Sequence, residues 1–123
     1  LFVAQFIGSP PMNMVNGALE GATFLTAGAR VATRVKGRAA KAMLGIRPED
    51  CAVVAPAKGD LEGEIYTIEL IGDHTRVTVK TGADMLTVKA PKDFSGKHGD
   101  SVAVLLNKDH LYVFDADSGA RIR

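Results

Sequence analysis

The chain has 123 residues, 46% of them hydrophobic, enough for one compact domain with a core or for two very small barrels sharing one. Fifteen basic and fourteen acidic residues leave a net charge of +1, which supplies no strong field for drawing in nucleic acid or anionic lipid. The longest apolar runs, such as Val102 to Leu106, fall far short of the roughly 18 to 20 residues of a membrane-spanning helix.

Charge is placed mildly unevenly, with six basic against three acidic residues through Asp50 and nine against eleven beyond it. The single cysteine, Cys51 in "PEDCAVV", has no intramolecular partner and reads as a small buried hydrophobe, which fits a reducing cytoplasm. The opening "LFVAQFIG" has no positive region before it and is too short for a secretory signal.

Leu1 to Ile7 is apolar at nearly every position, which predicts a short helix, ended by Gly8 and blocked by Pro10 and Pro11. A helix of that length does not hold itself together in water and has to pack on something. From Asn13 onward glycine interrupts the apolar pieces: "MVNGALEG", "ATFLTAG", "RVATRVKG", "AMLGIRPED". Strands suit this spacing, because Gly17, Gly21, Gly28 and Gly37 would each cost about 1 kcal/mol inside a helix. "RAAKAML", Arg38 to Leu44, has helical propensity over about two turns and reads as a connection running into a strand.

The second half alternates more plainly. In "GEIYTIELIGDHTRVTVKTG", Tyr66, Ile68 and Leu70 share one face of a strand and Val77 and Val79 one face of the next, with Gly72 to Thr75 as the turn of a β-hairpin. "DMLTVKAP" repeats the pattern, Leu86 and Val88 facing away from Thr87 and Lys89. "GDSVAVLLNKDHLYVFD" predicts two apolar strands around Asn107 to His110, then a "DADSG" turn and a short basic tail. About nine or ten short strands with polar turns indicate an all-β, barrel-like fold.

Catalytic constellations are missing. His74, His98 and His110 stand 24 and 12 residues apart, a spacing that places no two metal ligands on one element. Asp73, His74 and Ser101 contain the residue types of a triad, but His74 falls in a hairpin turn, where a solvated histidine is the simpler reading. Neither GxxxxGK[ST] nor GxGxxG occurs, so the chain has no loop for cradling phosphates. The basic run Arg30, Arg34, Lys36, Arg38 and Lys41 has no aromatic residue for stacking on bases and reads as a solvated face.

Three motifs in order carry a resemblance that spans essentially the whole chain: "FVAQFIGSPPMN", "LGIRPED" (Leu44 to Asp50) and "HLYVFDADSGARI" (His110 to Ile122). Together they resemble the C-terminal segment of ATPase subunits from bacterial carbohydrate importers, the ATP-binding-cassette proteins of the maltose and glycerol-3-phosphate type. That segment is a transport-associated, OB-like (TOBE) domain. The resemblance implies that residues 1–12 are a remnant helix and linker from the end of a nucleotide-binding domain. Residues 13–123 then form an OB-like regulatory domain, as one barrel or two interleaved small ones. It implies no catalytic, cofactor or metal residue here, since ATP and Mg belong to the preceding nucleotide-binding domain. The implied partners are a second copy in a homodimer, that nucleotide-binding domain, the membrane permease subunits and a regulatory protein, with no nucleic acid. The implied location is the cytoplasm, at the inner face of the membrane.

Candidate partner or interdomain contacts are Phe6, Ser9 and Asn13 in the first motif and Arg47, Glu49 and Asp50 in the second. Pro48 pushes Arg47 into an extended conformation, so Arg47 and Glu49 can project from a fixed corner. The competing local reading, which carries more weight, has Arg47 and the two acids satisfying backbone groups or one another. Met12 and Met14 read as core filling. The runner-up function is a small-ligand or oxyanion sensor of the molybdate-binding type, because "GDSVAVLLNKDHLYV" is similar to the end of that fold. Against it, the run Asn107, Lys108, Asp109 does not match the lysine-alanine-serine of the oxyanion binders, and the aspartate would repel an anion.

Overall fold

The computed structural model describes residues 12–26 and 29–123. The predicted helix at Leu1 to Ile7 and its glycine-proline exit lie outside the described residues. Among the described residues the chain forms nine strands and three single 3-10 turns, in agreement with the all-β expectation. The strands are β1 (Asn13–Thr26), β2 (Ala29–Ile46), β3 (Cys51–Val54), β4 (Leu61–Ile71), β5 (His74–Thr81), β6 (Asp84–Pro91), β7 (Ser101–Leu106), β8 (Tyr112–Asp115) and β9 (Arg121–Ile122), the first two being the longest.

The chain divides into two compact units, one running up to Arg47 and resuming with Asn107–Arg123, the other Pro48–Leu106. In the first, an antiparallel sheet has the order β1-β2-β8-β9. β1 curls back on itself, so that the Thr26 hydroxyl donates to the Asn16 carbonyl at 2.8 Å. Gly17 sits in the bend, and a Cβ there would run into the Leu25 carbonyl and the Phe24 ring. Register shifts at Gly17/Leu19 and Gly21/Thr23 supply the bending, as bulges do. Inside the curl lie Val15, Leu19, Phe24, Val31 and Leu44, all fully buried. Met12 and Phe114 form a smaller buried cluster against which Met14 and Tyr112 pack, so both methionines fill core as expected.

Arg38 to Leu44 is not a helical connection. It is the continuous end of β2, with Arg38 opposite Glu20, Ala39 opposite Leu19 and Met43 between Asn16 and Phe114. β1 flanks this segment and β8 pairs with its end, Ala42 to Leu44; together with the burial of Ala39, Ala42, Met43 and Leu44, this outweighs a helical propensity of a few tenths of a kcal/mol per residue. The basic tail is likewise structured: Arg121 and Ile122 form β9 on β8, and the Arg121 guanidinium lies 4.6 Å from the centre of the Tyr112 ring, a cation–π contact.

The second unit is a five-stranded antiparallel sheet, β3-β7-β4-β5-β6, whose two ends approach each other where β3 contacts β6. Ile65, Val77, Val79, Leu86, Val88 and Val104 fill it, each at most 1% exposed. The β4–β5 hairpin forms as the alternation predicts, its turn confined to Gly72 and Asp73 because Ile71 already pairs with His74. Gly72 has φ +60° and Asp73 does not share that region, the pattern of a II′ turn with its glycine first. β6 buries Leu86 and Val88 and exposes Lys89, as the sequence predicts.

Candidate functional site

The "GIRPED" corner follows the end of β2. Arg47 is half-buried, Pro48 is buried at the start of a 3-10 turn, Pro48–Asp50, and Cys51 opens β3 with its side chain buried. Proline is tolerated there because its missing N–H would have no partner in a first turn. The turn packs against β6. Within it Glu49 is exposed and Asp50 half-buried, while Arg47 and Asp50 both have polar or electrostatic partners. Glu49 is therefore the acidic group of this corner that solvent reaches most freely. Asn13 is 8% exposed, at the start of β1 opposite Ile46, so its side chain is buried. Phe6 and Ser9 lie outside the described residues.

The triad residue types do not converge. Asp73 and His74 meet at the hairpin turn, but Ser101 pairs with Glu64 at the far end of β4. Seven residues of strand separate the two places, roughly 23 Å at about 3.3 Å per residue. Among the described residues no group of three or more His, Cys, Asp or Glu side chains could hold a metal ion, and no helix is long and apolar enough to cross a membrane.

At the turn, His74 Nδ1 and Asp73 Oδ1 are 3.0 Å apart. This hydrogen bond first, and a backbone hydrogen bond second, hold the Asp73 carboxyl below the usual aspartate range. A carboxylate whose pKa is lowered by folding stabilises the fold above its ordinary pKa, and that contribution fades as pH falls through the lowered value. The group is fully exposed, so the consequence is visible in titration and not in bulk stability. His74→Ala is expected to move the Asp73 carboxyl back up toward its ordinary range, read from the carboxyl carbon shift in an NMR pH series. An unmoved midpoint would remove His74 as the cause.

The basic run lies along β2: Arg30, Arg34, Lys36, Arg38 and Lys41 are all exposed, with Val31 and Ala39 buried between them. Arg34 pairs with Asp109 at 2.8 Å. Asp109 belongs to the 3-10 turn Lys108–His110, capped by the Asn107 Oδ1, which accepts from the Asp109 N–H at 3.1 Å. Asn107 and Asp109 thus have structural partners in this connection.

A surface that residue spacing did not mark out is the outer half of β4. Tyr66, Ile68 and Leu70 alternate as a buried strand face would, yet all three are exposed. No local signal in the sequence marked this, because the exposure follows from β7 ceasing to pair with β4 at Glu64.

The MalK OB fold domain family matches residues 8–51, and the TOBE domain family matches residues 44–114. Among curated proteins, the chain is 33% identical over 143 residues to the sn-glycerol-3-phosphate import ATP-binding protein UgpC of Cupriavidus pinatubonensis, covering 98% of this chain and 37% of that protein. It is 36% identical over 123 residues to the protein of the same name from Jannaschia sp., covering 98% and 34%, and 32% identical over 133 residues to that of Escherichia coli K12, covering 99% and 36%. The chain spans about a third of the length of the curated relatives it matches. Among solved structures, the cytoplasmic molybdate-binding protein ModG, crystallised with molybdate bound, superposes with a TM-score of 0.64 over 87% of this chain and 96% of its own, at 15% identity. That likeness concerns the fold. With the TOBE match running from the end of β2 to β8, more than half of the chain, this protein belongs to the TOBE domain family.

Proposed function

We propose that this chain is the C-terminal regulatory and dimerisation domain of the ATP-binding subunit of a sugar or sugar-phosphate importer, and that it carries out no reaction itself. The observation that carries the reading is the succession of MalK OB and TOBE matches across residues 8–114, on a chain aligned end to end with proteins named as glycerol-3-phosphate import ATP-binding subunits. Residues 1–12 then lead in from a nucleotide-binding domain that holds ATP and Mg, and residues 13–123 form the regulatory part. Nothing in this chain's own sequence fits a P-loop.

What this chain contributes is surface on a stiff support. Each antiparallel sheet, with its own filled core, holds the exposed groups on it in place, which suits contacts with a second copy, with the preceding domain and with a regulatory protein. The permease subunits are partners of the whole assembly, at the inner face of the membrane. Of the predicted contact residues, Glu49 is the one we assign to a partner, because solvent reaches it most freely.

The purified chain is expected to release no phosphate from Mg-ATP above the buffer rate and to self-associate reversibly in analytical ultracentrifugation. Calorimetric titration with molybdate, sulfate and glycerol phosphate is expected to show no heat of micromolar binding. Nucleotide turnover would overturn the non-catalytic reading, and micromolar oxyanion binding would favour a sensor.

A further inference from the structure

The net charge of +1 conceals two units of opposite sign. The unit that ends at Arg47 and resumes with Asn107–Arg123 carries nine basic and four acidic residues, or +5. Pro48–Leu106 carries six basic and ten acidic residues, or −4. A division of the chain at Asp50 shows this only faintly, because Lys108, Arg121 and Arg123 return to the basic unit while Glu49 and Asp50 already belong to the acidic one. The ion pairs Arg34–Asp109 and Glu69–Arg76 each join residues of one unit, so they leave the difference between the units as it is.

Each unit displays its sign on a strand segment of the same design. On β2, "KGR" sets Lys36 and Arg38 on either side of Gly37; on β4, "EGE" sets Glu62 and Glu64 on either side of Gly63. All four charged residues are exposed and both glycines are half-buried, the alternation of a strand with one face outward. At Gly63 the inward side is full, since a Cβ there would strike the Lys80 carbonyl. Two residues of strand put the members of either pair ~7 Å apart, so the segments share a pitch and differ in sign. Arg38 lies opposite Glu20 and Glu64 opposite Lys80. By contrast Glu62 lies opposite Ala103 on β7, and Lys36 falls in the register shift between β1 and β2, with no counterpart across the pair.

We infer that a second copy covers both segments, Lys36 and Arg38 of one copy meeting Glu62 and Glu64 of the other. In a two-fold dimer this contact forms twice, because a residue that touches a different residue of its partner is touched by that same residue in return. The basic unit of each copy then meets the acidic unit of the other, and complementary potentials of this kind guide encounter and fix orientation. A uniformly anionic partner, such as a lipid surface, would answer the basic unit and be opposed by the acidic one. A second copy offers each unit its opposite.

This inference rests on the dimerisation reading above and specifies its surface. The test follows the 123-residue chain by sedimentation equilibrium. Its dimer dissociation constant is expected to rise about tenfold or more between about 0.05 and 0.5 M sodium chloride, as salt screens the contact. At low salt, Lys36→Glu and Glu62→Lys are each expected to raise the constant by about tenfold or more. Their melting curves are expected to match the parent's, because both residues are exposed and neither faces a charge across its strand pair. Lys92→Glu, at an exposed position of the acidic unit, makes the same change in net charge as Lys36→Glu and is expected not to raise the constant. Two double variants, Lys36→Glu with Arg38→Glu and Glu62→Lys with Glu64→Lys, are each expected to stay monomeric alone and to dimerise when mixed, since both contacts of the mixed dimer again join opposite charges. A dimer whose constant moves neither with salt nor with the single variants overturns this contact and leaves dimerisation standing. Failure of the two folded double variants to recover on mixing does the same. A chain that stays monomeric at every concentration overturns both.

Discussion

Phe24→Ala is expected to cost about 3–5 kcal/mol of unfolding free energy, read as a fall in the urea midpoint by far-ultraviolet circular dichroism. Phe24 is fully buried in β1, directly across from Val31 on β2, and its ring lies over the Cα of Gly17 where the strand curls back. Deleting the ring removes its transfer free energy and also leaves a void that the bend does not readily close, because the Thr26 hydroxyl bonded to the Asn16 carbonyl holds the two ends of the curl at their present separation. Phe24→Leu, which keeps most of the volume, is expected to lose less than about 1.5 kcal/mol. A loss under about 1 kcal/mol for the alanine variant would mean that the curl of β1 is not built around this ring.

The second large effect is expected at a polar residue. Asp60 precedes β4 and ties it to β7 twice: its N–H donates to the Val104 carbonyl at 2.9 Å, and its Oδ2 accepts from the Leu106 N–H at 2.8 Å. Leu106 is buried and ends β7 opposite Cys51 of β3, so its amide has little access to water if the carboxylate is removed. A hydrogen bond to a charged group is worth about 1.5–3 kcal/mol, and Asp60→Ala is expected to cost that much in the same denaturation. Asp60→Asn retains a side-chain oxygen and is expected to lose less than half as much. Equal losses for the two variants would show that charge, and not the hydrogen bond to Leu106, is what Asp60 supplies.

Much of the second unit was legible in advance because its strands obey a simple alternation. Val77 and Val79, then Leu86 and Val88, sit two residues apart between polar neighbours, and a pleated strand with one buried face has no other way to dispose of them. The turn between β4 and β5 was marked by Gly72, whose positive φ most residues avoid. Cys51 as a small hydrophobe followed from its apolar neighbours, and it is buried. The candidate contact residues were less accessible to this reasoning. Polarity at Arg47, Glu49 and Asp50 is the same whether a group faces a partner or its own backbone, and only their burial separates exposed Glu49 from the half-buried pair.

By itself the sequence determined the all-β class, the β4–β5–β6 meander and the lack of a phosphate-cradling loop, because side-chain periodicity and the backbone demands of glycine and proline are local properties. Tertiary structure decided the rest. Arg38 to Leu44 became strand only because β1 flanks it and β8 pairs with its end, and residues 107–123 serve the first unit only because the chain returns to it after Leu106. Tyr66, Ile68 and Leu70 ended exposed because β7 stops pairing at Glu64. Whether an apolar stripe is covered depends on where neighbouring strands end, and that is set by contacts between residues far apart in the chain.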